Sequence, residues 1–202
     1  MPEHATCALL GQLLLAYGAI TSEQLDLALQ SQETTGEPLG ELLTQMSAVE
    51  PEQIERALRA QSRLRGRSGH GHTFLLVVDD DPEIGALLGE ILEGAGYRVG
   101  VAENTAEAGA ALMSPDGVRP TLLVLDIGLP GPSGIDFLTL MRGDPRVSST
   151  PVIVLTGQPQ FETEIQERGL TISDFLCKPV PARRLLEAVA RALQGSRVAA
   201  RA

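Results

Sequence analysis

Tryptophan is absent, and aromatic residues make up only 3% of the 202-residue chain. With a formal net charge of -10, that scarcity removes the basic, base-stacking surface used for sequence-independent nucleic-acid binding. Long hydrophobic runs are also missing. No stretch of about 20 apolar residues occurs, and no charged segment leads into an apolar one as in a secretory leader. A soluble, cytoplasmic protein without membrane insertion is therefore expected. Cysteine is nearly absent: Cys7 and Cys177 stand too far apart for a disulfide framework or a metal knuckle. Cys177 falls in a strand-like run and reads as a small hydrophobe. His4, His70 and His72 lie in the terminal segment and a glycine-rich stretch, without a metal-ligand spacing. Lysine is scarcest of all. Lys178 is the only one, and the other fifteen basic residues are arginine. One ammonium in so arginine-biased a chain marks a place that needs a compact point charge rather than a planar fork.

Apolar residues make up 43%, enough for an ordinary core, and the length accommodates two domains. Charge divides the chain into three. Residues 1–61 carry nine acids and two bases, 62–72 three arginines and no acid, and 73–202 seventeen acids and eleven bases. The middle stretch, "SRLRGRSGHGH", has no hydrophobic period and reads as a flexible basic linker. The expected organisation is a domain over 1–61, a linker over 62–72 and a second domain over 73–202.

From Thr73 onward apolar strands alternate with helical patterns. The strands are "FLLVV" (74–78), "YRVGVA" (97–102), "TLLVL" (121–125), "PVIVL" (151–155) and "TISDFLC" (171–177). Helices are expected at about 82–94, 104–113, 134–142, 159–168 and 181–194. Continuously apolar strands suit a parallel sheet covered on both faces, and five such units predict an α/β, doubly wound, five-stranded parallel fold. Sites in such sheets form at the carboxyl ends of strands. There the sequence places Asp79-Asp80-Asp81, Asp126, Thr156 and Lys178-Pro179. Aspartates crowded at the edge of a core are costly unless a cation compensates them, and a hard divalent ion prefers oxygen ligands. Asp81, third in its run and followed by Pro82, is expected to cap a helix.

The elements "VVDDD", "LVLDIGLPGPSG", "IVLTG" and "FLCKP", in that order, make residues 73–195 resemble the receiver domain of bacterial two-component response regulators. The resemblance implies a flavodoxin-like fold and a phosphoprotein in a phosphorelay. Asp126 would be the phosphoacceptor, taking the group from a sensor histidine kinase or a phosphotransfer protein. Asp79, Asp80 and Asp126, with the Gly128 carbonyl, would hold Mg²⁺. Thr156 and Lys178 would bind the phosphoryl oxygens, and Phe175 would occupy the aromatic switch position. It further implies a signalling protein rather than an enzyme. A metal-dependent phosphatase also uses a nucleophilic Asp with Mg²⁺, but no substrate cap or second general acid follows this one. Two departures stand out. Pro159 lies near the start of the fourth helix, and Leu170 and Thr171 replace the usual Ala and acid, predicting a shortened or re-angled helix there. Gly128 and Gln158 occupy the positions two beyond Asp126 and Thr156 that bear on acyl-phosphate lifetime. After the fifth helix only "SRVAARA" remains, so output through protein contacts, without direct DNA binding, is expected.

The first domain contains a repeat. Residues 10–32, "LGQLLLAYGAITSEQLDLALQSQ", align without a gap on 39–61, "LGELLTQMSAVEPEQIERALRAQ". Each unit reads as two short helices, with Thr21 and Glu50-Pro51 as start signals, giving a small all-α four-helix domain. This pattern resembles the N-terminal domain of the ATPases of type II secretion and type IV pilus assembly, which binds cyclic di-GMP. The residues so implied are Leu10, Gly11, Leu14, Gly18, Leu25, Leu29 and Gln32, then Leu39, Gly40, Leu43, Ile54, Leu58 and Gln61. Leu9 and Pro38 stand where that family has basic residues, and Ser47 where it has glycine. With Arg56 and Arg59 as its only bases, the domain offers little to two phosphates. Protein docking is expected ahead of nucleotide binding, with an output partner in motility or secretion machinery suggested by the resemblance.

Overall fold

A computed structural model describes residues 3–65, 73–113, 119–131 and 133–199, with side chains over 9–64, 73–113, 119–131 and 133–195. Four helices come first: α1 (Glu3–Ala16), α2 (Ser22–Thr35), α3 (Leu39–Gln45) and α4 (Pro51–Arg65). Their starts follow local chemistry. The Thr21 side chain accepts the Gln24 N–H while the Gln24 side chain accepts the Thr21 N–H, closing a capping box at α2. At α4, Pro51 opens the helix and the Gln53 side chain accepts the Glu50 N–H at 2.9 Å.

The repeat is visible in three dimensions. Gly11 meets Leu25, and its counterpart Gly40 meets Ile54; a Cβ at Gly11 would lie 2.8 Å from Leu25 Cδ1. Each glycine thus lets the second helix of its unit close on the first. The turns after α1 and α3 are likewise matched: the Ala19 N–H reaches the Leu14 carbonyl at 2.9 Å, and the Ala48 N–H reaches Leu43 at 3.0 Å. Both turns need a left-handed residue. Gly18 supplies it with φ 66°, but its counterpart is Ser47 with φ 52°. An L-residue there is strained by about 1–2 kcal/mol. Ser47→Gly is therefore expected to stabilise the protein by about 1 kcal/mol, seen as a raised urea midpoint with unchanged slope.

The linker expected from residue 62 does not begin there. Helix α4 runs on to Arg65, because Leu64 is buried and carries the apolar face of α4 past the predicted boundary. Residues 66–72, the rest of that stretch, lie outside the described residues.

The second half is built of β1 (Phe74–Val78), α5 (Pro82–Gly94), β2 (Arg98–Ala102), α6 (Thr105–Leu112), β3 (Leu122–Asp126), α7 (Gly134–Gly143), β4 (Val152–Thr156), α8 (Phe161–Glu167), β5 (Asp174–Cys177) and α9 (Ala182–Ala199). All strand pairs are parallel, in the order β2-β1-β3-β4-β5. The predicted α/β fold is therefore observed. Alternate residues of each strand feed two layers. Leu75, Val77, Leu122, Val124 and Ile153 pack with Leu88, Leu92, Leu185 and Val189 of α5 and α9. Leu76, Val78, Leu123, Leu125 and Val154 face Ala108, Leu112, Ile135 and Ile165 of α6, α7 and α8. Helix α8 has only seven residues and follows Pro159, as the departure at that position predicted. Strand β5 starts three residues later than expected. Cys177 is exposed rather than core, because it is the last residue of an edge strand.

The helical repeat is docked on the sheet. Helices α1 and α4 pack against α6 and β2, and Leu13, Leu14, Leu43 and Leu64 join one apolar cluster with Leu76, Val78 and Ala102. At Gly100 the α4 backbone comes so close that a Cβ would lie 2.4 Å from the Leu64 carbonyl oxygen. A buried carboxylate ties the two halves together. Glu107 of α6 accepts the Tyr17 hydroxyl at 2.7 Å and Arg63 Nη2 at 3.1 Å to each oxygen. Burial and this bond to Glu107 push the Tyr17 phenol well above its ordinary value. Arg56 stacks on the Tyr17 ring at 4.5 Å.

Candidate functional site

The order of strands reverses between β1 and β3, and the crevice at their carboxyl ends is where such sheets place sites. Strand β1 delivers Asp79 and Asp80, and β3 ends in Asp126. One carboxylate oxygen from each of these three lies within 4.8 Å of the others. Asp81 does not join them. Its side chain accepts the Glu83 and Ile84 N–H groups and caps α5, as expected.

Lys178 crosses from the end of β5 to bridge two of the acids. Its Nζ lies 2.5 Å from Asp126 Oδ2 and 2.5 Å from Asp79 Oδ2. The resemblance implied a phosphoryl-binding role for Lys178; the bridge to both Asp126 and Asp79 is seen in the structure. It arises because β1 and β3 are neighbours, so one ammonium reaches both. The backbone holds Lys178 in place: its N–H donates to the Thr156 carbonyl at 2.8 Å, and Thr156 pairs with Cys177 in the ladder. Burial works to lower the Lys178 pKa, but the bonds to Asp126 and Asp79 outweigh it, and the ammonium is held charged. Asp79, 1% exposed, is pushed up by burial; Lys178 and the Asp81 N–H oppose the shift, and Asp126 adds to it.

Asp126 Oδ1 accepts the Gly128 N–H at 2.7 Å. The loop after Asp126 is pressed flat by Gly134, where a Cβ would lie 2.6 Å from Ile127 Cα and 2.8 Å from the Asp126 carbonyl oxygen. Sequence reading did not single out Gly134; the "GPSG" stretch carried the signal. Thr156 is fully buried, and its hydroxyl oxygen accepts the Gln158 N–H at 3.2 Å, leaving its own proton to donate. Phe175 of β5 pairs with Val154 of β4 and is half-buried against the layer that holds α6 to α8. All the receiver-like residues singled out in the sequence thus gather at one edge, with Phe175 one step behind.

A model of the response regulator receiver domain matches residues 75–190. The chain belongs to that family. Among curated relatives, the receiver is 34% identical over 112 residues to the phosphate regulon transcriptional regulatory protein PhoB of Pseudomonas aeruginosa, a match covering 55% of this chain and 48% of that protein. It is 35% identical over 127 residues to the nitrogen assimilation regulatory protein NtrX of Azorhizobium caulinodans, covering 61% of this chain and 27% of the relative. The chain thus spans half or less of the curated relatives it matches. Among solved structures, the CheY-like receiver domain protein of Methanospirillum hungatei superposes with a TM-score of 0.56 at 27% identity, covering 63% of this chain and 98% of that one. The HemR receiver domain of Leptospira biflexa gives 0.52 at 29% identity, covering 60% and 94%. The acid cluster, with hard oxygen donors from two adjacent strands, has the chemistry to hold Mg²⁺, as receiver domains do.

In the helical repeat the residues singled out divide into two groups. Leu14, Leu25 and Leu43 are core, Gly11 and Gly18 shape the packing and a turn, Leu29 is partly buried, and Gln61 is buried. The Gln32 side chain donates to the Glu37 carbonyl at 3.0 Å, closing the inter-repeat turn. Leu10, Leu39, Gly40, Ile54 and Leu58 line a cavity of about 680 Å³ between α3 and α4, with Leu10 and Leu39 also part of the core. Among the described residues no helix is long and apolar enough to cross a membrane.

Asp79 is the costliest of the acids, buried beside Asp126 with one ammonium shared between them. In metal-free protein Asp79→Asn is expected to raise Tm by several degrees, consistent with about 1–2 kcal/mol. The same change should weaken Mg²⁺ binding at least about tenfold. Thermal melts with and without Mg²⁺ check both.

Proposed function

We propose that this protein is a phosphoaccepting response regulator: Asp126 takes a phosphoryl group, and the change is read out through protein contacts. The observation that carries the reading is the single lysine of the chain bridging Asp126 and Asp79 inside the acid cluster. A scaffold that never receives phosphate has no use for such an arrangement, which leaves a buried acid above its ordinary pKa.

In the proposed reaction a carboxylate oxygen of Asp126 attacks phosphorus on a phosphohistidine of a sensor kinase or phosphotransfer protein. The P–N bond breaks, and its electron pair stays on the imidazole. Gly128 and Lys178 orient the Asp126 carboxylate through one oxygen each. Once the acyl phosphate forms, Lys178 exchanges its bond to Asp126 for a phosphoryl oxygen while keeping Asp79. The Thr156 hydroxyl donates to another, and Phe175 turns inward behind it. Mg²⁺ held by Asp79, Asp80, Asp126 and the Gly128 carbonyl supplies charge neutralisation for the incoming group. Incubation with acetyl phosphate and Mg²⁺ tests this, with a mass gain of one phosphoryl group expected. A mass unchanged under conditions that label a control receiver would overturn it.

The division into a docking domain over 1–61 and a receiver over 73–202, joined through the end of α4, belongs to the same reading, as do a cytoplasmic location and an output without DNA binding. An output partner in motility or secretion machinery rests on the repeat's resemblance alone. One observation favours a second reading, in which the chain also senses cyclic di-GMP: five of the thirteen repeat residues line one cavity. Its rim opposes that ligand, since Glu41 and Glu55 stand there and no basic residue lines it. Calorimetric titration of cyclic di-GMP into the intact chain, with and without beryllofluoride, separates the two readings. Micromolar binding would make the protein a dual-input regulator with reciprocal coupling.

A further inference from the structure

We infer that the α3–α4 cavity is a docking groove for a cationic amphipathic helix, and that such a helix is the partner of the helical repeat. The inference rests on reading that repeat as a docking domain and is independent of the chemistry at Asp126.

The floor and walls are apolar. Leu10 and Leu39 lie at the bottom, Ile54 stands to one side, and Leu58 is 43% exposed at the mouth. Gly40 keeps α3 free of a side chain where the groove passes between the helices, with Ile54 Cγ2 3.3 Å from its Cβ position. About 680 Å³ is room for two or three bulky side chains rather than for a whole domain. Helix α1 packs on the receiver and α3 on α2, and α4 meets β2 at Leu64, beyond the Ile54 and Leu58 that line the groove.

Charge decides what enters. Glu41 and Glu55 stand on opposite rims. The stretch from residue 33 to 55, which supplies α3, its flanking turns and the start of α4, contains six glutamates and no basic residue. Arg59 offsets Glu55 only through an exposed pair at 3.4 Å. An anionic ligand would meet this field unfavourably, whereas lysines or arginines flanking an apolar stripe would meet it favourably. Apolar anchors at i, i+3 or i+4 and i+7 on a helix match a groove walled by two helices.

The test uses the full-length, unphosphorylated chain and a designed peptide of about four helical turns, with leucine along one face and lysine on the other. Anisotropy of the labelled peptide should show saturable binding, and amide shifts should concentrate at Leu10, Gly40, Ile54 and Leu58. Leu58→Glu and the double change Glu41→Lys with Glu55→Lys should each weaken binding at least about tenfold. The double change Glu162→Lys with Glu167→Lys, a charge change on α8 equal to that of the groove double variant, should leave it unaltered. Leu58, Glu41 and Glu55 are exposed, so unchanged melting curves will show that these variants fold. Equal affinity for all variants, or shifts elsewhere, overturns the inference. So does cyclic di-GMP that moves the same amides and displaces the peptide, or self-association that moves them without peptide. Acetyl phosphate labelling of the same samples reads the receiver separately, so failure here is distinguishable from failure at Asp126.

Discussion

Asp126→Asn is expected to abolish phosphorylation by acetyl phosphate in the presence of Mg²⁺, a loss of at least about a hundredfold in initial rate. The amide keeps the shape of the carboxylate and can still accept the Gly128 N–H, so the fold is retained. It also still leaves Lys178 its bond to Asp79. What it removes is the nucleophilic oxygen, and neither neighbouring acid can take over. Asp79 is buried and engaged with Lys178 and the Asp81 N–H, while Asp80 projects from the strand end without the Gly128 and Lys178 pair that orients Asp126. Intact-protein mass spectrometry against the parent chain gives the result directly. Undiminished labelling of the variant would place the phosphoacceptor elsewhere.

The second large effect is expected at Gly100, far from this chemistry. In an edge strand a valine would ordinarily be favoured over glycine. Here a Cβ would lie 2.4 Å from the Leu64 carbonyl oxygen and 3.1 Å from Phe74 Cε2. The nearest atom is backbone, so no rotamer change relieves the clash, and α4 has to leave β2. Gly100→Val should therefore cost about 3 kcal/mol or more, the upper end for overpacking a core. The loss should fall mainly on the docked helices, with raised hydrogen exchange over α1 and α4 and a larger radius of gyration. Gly109→Ala is the control. Nothing stands within 4 Å of that Cβ position in α6, so the change should stabilise by about 0.5–1 kcal/mol. If Gly100→Val leaves α4 as protected as before, the docking of the helical repeat on β2 is wrong.

Much of the α/β half was legible beforehand, for a physical reason. Strands buried on both faces must be apolar throughout, so "FLLVV", "LLVL" and "VIVL" announce themselves, and the polar residue that ends each run marks the site edge. The gathering of the candidate site residues at one edge was legible for a similar reason. Carboxylates, a hydroxyl and a lone ammonium at strand ends have no structural use that explains all of them together. Strand β5 was read three residues too long, because Thr171, Ile172 and Ser173 have strand-like composition. They lead into the sheet instead, where the Arg142 guanidinium donates to the Thr171 carbonyl at 2.8 Å.

Glu107 shows where that legibility stops. Three residues after Asn104, it looks like half of a capping arrangement, and it is one: the Asn104 side chain accepts its N–H, and its own carboxylate accepts the Glu103 N–H. Nothing local says that the same carboxylate also receives Tyr17, 90 residues away, and Arg63, 44 residues away. Gly100 is the same case. A glycine in a strand signals that something approaches closely, but not what.

The sequence by itself determined the two repeated helical units, the five βα units and the residues gathered at the strand ends, because periodicity, capping and charge act over a few residues at a time. Only the tertiary structure decided that α4 runs on to Arg65 and lies on β2, that Lys178 bridges two acids, and that Leu10, Leu39, Ile54 and Leu58 of the repeat line a groove while Leu14, Leu25 and Leu43 are enclosed. Those outcomes depend on which surfaces meet, and contact between segments far apart in the chain is set by shape and burial summed over the whole fold.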